Sequence, residues 1–303
     1  MTEMTEEIKK TKKGKLERNR IWMSWTFVLI PTLFIITFYF YPMIQAFWIS
    51  LHTGTGVNLD FTGLDNYRRL FNDQAFITAV TNTFIFFIFQ IPLMIILALF
   101  FSVLLNQKTL HFKGIFRTLV FLPAITSLVA YSLIFRYLFS NDGVVNQALM
   151  FMNLIDAPIF WLGDPFWAKV LIIIAITWRW TGYNMIFYLS ALQNIDPGIY
   201  EAARIDGASA VQQFFRITIP MLRPVILFTS ITSTIGTLQL FDEPMNLTGG
   251  GPGNATTTIS QYIYNLSFEY TPNFGYAAAV SYSIVVFVLI LSAIQFRVGR
   301  ERK

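Results

Sequence analysis

Arg179 stands inside an otherwise apolar run, residues 167 to 190, with Trp180 beside it, Tyr183 one helical turn on and Asn184 following. An arginine at the centre of a bilayer costs about 2.5 to 3.5 kcal/mol on insertion scales, so its side chain must face a cavity or a partner carboxylate. Helical spacing sets the guanidinium, phenol and carboxamide on neighbouring positions beside an indole. Polar groups next to aromatic faces suit a ligand with hydroxyls around a ring and C–H groups on its faces, held weakly enough to be released. The same residues also allow a packing role, with Trp178, Trp180 and Tyr183 against neighbouring helices and Arg179 paired to another subunit. A second polar run, Ser230, Thr232, Ser233, Thr234, Thr237 and Gln239, leads to Asp242 and Glu243. Gln239 and Asp242 are the preferred pair to line the same cavity, while hydroxyls at this spacing equally serve bonds between helices.

A different constellation lies between two long apolar runs. Asp196 can cap a helix whose first residue is Pro197, where a missing N–H is harmless, and Gly207 ends it. Ser209 and Gln212 have the spacing of a capping box, and Val211, Phe214, Phe215 and Thr218 fall at i, i+3, i+4 and i+7, a stripe running to Pro220. The segment reads as two short helices meeting at a glycine on the membrane surface.

The chain that must position these residues is 54% hydrophobic and 17% aromatic with only 13% charged residues, against about 25% charged in soluble domains. It is predicted to be an all-α integral membrane protein with six spans, at about 21 to 50, 76 to 105, 115 to 139, 167 to 190, 222 to 241 and 274 to 296. Seventeen of the 22 Lys and Arg fall on one side of that arrangement, so both termini and the 196–220 loop are expected on the cytosolic side. The net charge of +5 thus reflects topology, and no basic stretch alternates with aromatics outside the spans, which argues against nucleic acid as a partner. The tail around Lys9, Lys10, Lys12 and Lys13 is a solvated topogenic segment or touches anionic lipid. The first apolar run is too long for a signal h-region and lacks an Ala-x-Ala site, so it is expected to stay as an anchor.

Several chemistries are excluded. There is no cysteine, and His52 and His111 are isolated from other ligand types, so no metal site is expected. No Gly-x-x-x-x-Gly-Lys-Ser/Thr loop and no Gly-x-Ser-x-Gly elbow occurs, so the chain is not expected to be an enzyme and carries no catalytic residue of its own.

Glu201-Ala-Ala-Arg-Ile-Asp-Gly207, nine residues, then Ile217-Thr-Ile-Pro220 resembles the EAA loop of permease subunits in binding-protein-dependent ABC importers, with Ile219 in place of the usual leucine. Tyr41-Pro42, Phe61-Thr-Gly-Leu-Asp-Asn-Tyr67, Asn82-Thr83, Leu122-Pro123, Trp161-Leu-Gly-Asp-Pro165 and Leu247-Thr-Gly-Gly-Gly-Pro252 extend the likeness to the maltose and multiple-sugar group. The resemblance implies a type I importer permease fold: a basic cytosolic tail over 1–20, a first transmembrane helix and outer loop over 21–75, a core over 76–297 with its coupling loop at 196–220, and a tail over 298–303. It implies that Glu201, Ala202, Ala203, Asp206, Gly207, Ile217 and Pro220 couple the chain to a cytosolic ATPase. It places Arg179, Trp180, Tyr183, Asn184, Gln239 and Asp242 along the substrate path. The implied partners are a second permease subunit, two ATPase subunits that use ATP and Mg, an extracellular solute-binding protein and a sugar or oligosaccharide, at a bacterial plasma membrane. Two other readings stay open: a secondary transporter or channel without an ATPase, for which no mid-span carboxylate pair is evident, and ABC import of a glycerol phosphate bound by Arg179.

Overall fold

The computed structural model describes residues 20–54, 60–107 and 109–299; the basic tail before Arg20 and the last four residues lie outside the described residues. Among the described residues, five helices are long and apolar enough to cross a membrane: α1 (Arg20–Ser50), α3 (Gln74–Asn106), α7 (Pro165–Gln193), α9 (Ala210–Leu238) and α12 (Phe274–Gly299). Short elements fill the intervals: a two-residue β pair (His52–Thr53 with Asp60–Phe61), α2 (Asp65–Leu70), α6 (Val144–Phe151), α8 (Pro197–Ile205), α10 (Asp242–Thr248) and α11 (Ile259–Tyr264).

The predicted third span is not a single rod. It is α4 (Lys113–Ile125) followed by α5 (Leu128–Leu138), which meet at 101°. Thr126 and Ser127 adopt extended backbone, and the Thr126 hydroxyl turns back to donate to the Pro123 carbonyl at 2.8 Å, closing the end of α4. Thirteen residues in α4 reach only about 20 Å, short of the roughly 30 Å hydrocarbon core. The predicted fifth span also ends early, at Leu238, so Gln239 lies just beyond it rather than in it.

Helix α3 packs against α7 along most of its length, α4 lies against α7, and α9 bridges α3, α7 and α12. At Gly182 the backbone of α7 approaches α4 so closely that a Cβ would stand 1.9 Å from the Val120 carbonyl oxygen, which is why that position has no side chain. Helix α1 is outermost; its apolar window is wholly unburied, and it joins the bundle through the Tyr41–Ser50 end against α12. Three apolar clusters run through the bundle, centred on Tyr276 and Val280, on Phe86 and Ile172, and on Met185 and Tyr188.

Polar side chains at the helix ends fix the connections. Asp73 caps α3 through one carboxylate oxygen, accepting from the Ala75 and Phe76 N–H groups at 2.9 and 3.3 Å, while its other oxygen accepts from Tyr262 and Tyr276 hydroxyls at 2.5 and 2.6 Å. Burial pushes the Asp73 carboxyl up, but these donated hydrogen bonds outweigh it and hold the group below its ordinary range. Asn82 donates to the Asn254 and Thr257 carbonyls at 2.9 and 3.0 Å, and Thr83 accepts from the Ile259 N–H at 3.1 Å. The Asn82-Thr83 pair therefore pins the loop that follows the glycine run. Fully buried Asn146 plays the same part for residues 140–161, bonding Ser140, Asn141, both backbone groups of Ile159, and the Trp161 indole N–H.

Two proline-associated irregularities have one cause. Single π-helical turns occur at Ile36–Phe40 in α1 and Phe214–Thr218 in α9, each two residues before a proline, Pro42 and Pro220. A proline ring collides with the carbonyl four residues earlier, here Phe38 and Arg216, both inside the widened turn; the extra residue moves that carbonyl aside and keeps the helix continuous. Pro220 therefore does not end the helix that begins at Ala210. The predicted stripe fails for the same reason: Val211 and Phe215 are 66% and 62% exposed, whereas Thr218 is rotated inward to 5%.

Candidate functional site

A cavity of about 420 Å³ opens where α3, α7, α9 and the start of α10 converge. All six residues placed on the substrate path from sequence, Arg179, Trp180, Tyr183, Asn184, Gln239 and Asp242, line it together. The hydroxyl run of α9 divides by helical phase: Thr232, Ser233 and Thr237 face the cavity, while Thr234 accepts from Gln295 on α12 at 2.7 Å. Cavity lining and bonding between helices thus fall on different faces of one helix.

The side chains are held before any ligand arrives. Asn184 is buried and donates to the Trp180 carbonyl at 3.0 Å and to the Met94 sulfur at 3.2 Å. Thr237 donates to the Gln90 carboxamide oxygen at 3.0 Å. The Trp180 and Tyr183 rings meet edge to face, centroids 5.6 Å apart, and remain 39% and 42% exposed, so each keeps an aromatic face available. The Arg179 guanidinium lies 5.5 Å from the Trp180 ring centroid and 5.8 Å from that of Tyr131.

Arg179 finds its counter-charge within the chain. Its Nη1 donates to Glu243 Oε1 at 3.1 Å, with the two side chains only 12% and 4% exposed. The pair ties α7 to α10, and α10 in turn packs on α5, the second half of the bent span. Sequence reasoning preferred Asp242 at this end; Asp242 does line the cavity, but it is exposed and Glu243 is the buried partner. Gln90 and Met94 were missed as lining residues, although a glutamine in the middle of the second apolar run was a signal of the same kind as Arg179.

The 196–220 segment folds as its sequence dictates. Asp196 accepts from the Gly198 N–H at 2.9 Å with Pro197 as the first helical residue of α8. Gly207 takes φ +82°, and the Ala208 N–H closes the helix end onto the Ala203 carbonyl at 2.9 Å. Both arms of the Ser209–Gln212 capping box are present, at 2.8 and 3.3 Å. Tyr200 and Thr218 hydroxyls, 3.0 Å apart, clip α8 against the π turn of α9. Glu201, Ala202, Asp206, Gly207 and Pro220 are exposed, Ala203 and Ile217 half-buried. Beside them Ile205 is 86% exposed, so the segment presents acidic and apolar groups outward together.

A bundle of spanning helices around a polar cavity, with a capped helix pair projecting from one end of it, defines a polytopic membrane transport subunit. The sequence profile of the family described as binding-protein-dependent transport system inner membrane component matches residues 71–302, and the chain belongs to that family as a multi-pass inner-membrane protein. It is 56% identical to the lactose transport system permease protein LacF of Rhizobium radiobacter over 97% of this chain and 99% of that one. It is 35% identical to the trehalose/maltose transport system permease protein MalF of Thermococcus litoralis over 96% and 98% of the two chains. Among solved structures it matches a chain of a bacterial ABC transporter that imports the acidic polysaccharide alginate, with a TM-score of 0.79 and 26% identity over 94% and 97% of the two chains. These relatives are transport permeases rather than enzymes, and the fold is that of ABC importer permeases.

Proposed function

We propose that this chain forms part of the path by which a sugar or oligosaccharide enters the cell. The observation that carries the reading is the cavity: hydroxyl and carboxamide groups from Thr232, Ser233, Gln239 and Asn184 beside the open faces of Trp180 and Tyr183. That surface matches the alternating polar rim and apolar faces of a pyranose. The names of the relatives, which speak of lactose, trehalose, maltose and alginate, support the same class.

In this reading the remaining parts of the importer are separate chains. A second permease completes the path, two cytosolic ATPase subunits bind ATP and Mg, and an extracellular binding protein delivers the cargo. Both termini and the 196–220 segment face the cytosol. Glu201, Ala202, Ala203, Asp206 and Gly207 meet the ATPase, and Ile217 and Pro220 begin the helix that carries its motion to the cavity. ATP binding favours the outward-facing state only through its different affinity for the two states.

The test is a mild-detergent pull-down of the tagged chain from its native membrane, with identification of copurifying chains, an ATPase assay and reconstituted uptake of a labelled sugar panel. A second permease, a P-loop ATPase and ATP-dependent uptake are expected. Repeated recovery of the chain with no ATPase overturns the reading in favour of an ATP-independent carrier.

A further inference from the structure

We propose that the cavity selects neutral saccharides, and that Asp242 is the residue that turns acidic ones away; this rests on the sugar-import reading above. The charged side chains lining the cavity are Arg179, Glu243 and Asp242. Among the described residues Arg179 is the only cation lining the cavity, and its Nη1 donates to Glu243 at 3.1 Å in a nearly dry setting. Its charge is therefore balanced within the chain, and although its Nε keeps an unpartnered N–H, a ligand carboxylate or phosphate gains no net charge attraction from the pair. Asp242 is exposed to the cavity, and its carboxylate has no hydrogen-bond or ion-pair partner among the described residues.

The three groups leave the cavity with a net negative charge. A ligand hydroxyl is welcome beside Asp242, because an ionised carboxylate only accepts hydrogen bonds and a hydroxyl can donate one. A ligand carboxylate or phosphate brings no donor and adds like charge. At a separation of about 8 Å and an effective dielectric constant of about 20, that repulsion alone weakens binding by on the order of thirtyfold. The same charge balance disfavours a glycerol phosphate, because the charge of Arg179 is already matched by Glu243 and Asp242 adds a negative one. The cargo class that remains is a neutral mono- or oligosaccharide, in contrast to the acidic polysaccharide of the alginate importer whose fold this chain shares.

The experiment uses the complex purified with its copurifying subunits and placed in nanodiscs, probed with lactose and maltotriose as neutral ligands and with digalacturonate and glycerol 3-phosphate as acidic ones. Saturation-transfer NMR reports binding, and Trp180→Ala identifies the signal that arises in the cavity. The expected result is neutral binding at least about tenfold tighter than acidic binding, with the ratio falling toward one in Asp242→Asn. Equal binding of digalacturonate by the native complex overturns the charge selection while leaving the sugar reading intact. A ratio unmoved by Asp242→Asn overturns the role of Asp242. Failure of every saccharide to bind, with no uptake of any, overturns the sugar reading and this inference with it.

Discussion

The Arg179–Glu243 pair gives the sharpest quantitative expectation. Both side chains are nearly excluded from solvent, at 12% and 4% exposure, and the pair is the direct ionic link between α7 and α10. Breaking a buried pair by removing one partner costs about 3 to 5 kcal/mol, mostly because the surviving charge is left without a counter-charge. Arg179 is the less buried of the two, so Glu243→Gln, which strands the arginine but keeps an acceptor, should fall near the lower end, about 3 kcal/mol. Arg179→Gln strands the more deeply buried carboxylate and should fall near the upper end. In the double variant two carboxamides face each other with no stranded charge, so its loss should be at least about 2 kcal/mol smaller than the sum of the single losses. At about 2 to 4 °C per kcal/mol for chains of moderate size, the single variants should melt roughly 6 to 20 °C lower, with the double variant well above the additive value. Thermal denaturation of the detergent-solubilised complex followed by size-exclusion chromatography measures this. Additive losses, or single variants within about 2 °C of the native chain, would refute the reasoning.

Three further outcomes follow from other sites. Gly182→Ala should destabilise by about 1 to 3 kcal/mol, because a Cβ 1.9 Å from the Val120 carbonyl oxygen pushes α4 from α7 and outweighs the roughly 1 kcal/mol of helix propensity gained; a raised melting temperature would contradict the packing. Glu201→Lys should leave insertion and assembly intact while ATP-dependent uptake falls at least about tenfold; normal uptake by the variant would remove Glu201 from the ATPase contact. Asp73→Asn should lower stability at neutral pH: because folding depresses the Asp73 carboxyl, the native chain's advantage is fully present above its ordinary value of 3.8 and is lost as pH falls through the lower folded value. Parallel melting curves of the two chains from pH 7 to pH 3 test this, and an advantage that grows on acidification would count against the network.

What the sequence made legible were features whose cause is local. Asp196, Pro197, Gly207, Ser209 and Gln212 declare their helix ends because caps act over a few residues, and all five act as expected. The long apolar runs declared their helices for a similar reason. The bend between α4 and α5 was hidden, since a mainly apolar stretch from 115 to 139 is compatible with one helix even with Pro123 in it, and the extended backbone at Thr126 and Ser127 decides otherwise. Arg179 announced a cavity or a counter-charge, and the structure supplies both, but the choice between Asp242 and Glu243 depended on which way α10 turns after Leu238, a tertiary matter. The Val211 to Thr218 stripe failed because a period of 3.6 residues was carried across a widened turn.

That widened turn gives α9 an unexpected mechanical character. From Ala210, immediately after the capping box, to Leu238, beside the cavity, the chain is one uninterrupted helix of 29 residues, about 43 Å long. Thr218, clipped to Tyr200 on α8, and Thr232 and Thr237 on the cavity wall therefore belong to the same continuous lever, whose weakest points are the widened turn and Pro224, where an internal hydrogen bond is lost. The extra residue at Phe214–Thr218 sets the angular phase between the two ends. Deleting one residue there would turn the wall by about 100° relative to the exposed end, leaving the lever whole but aimed at the wrong neighbour.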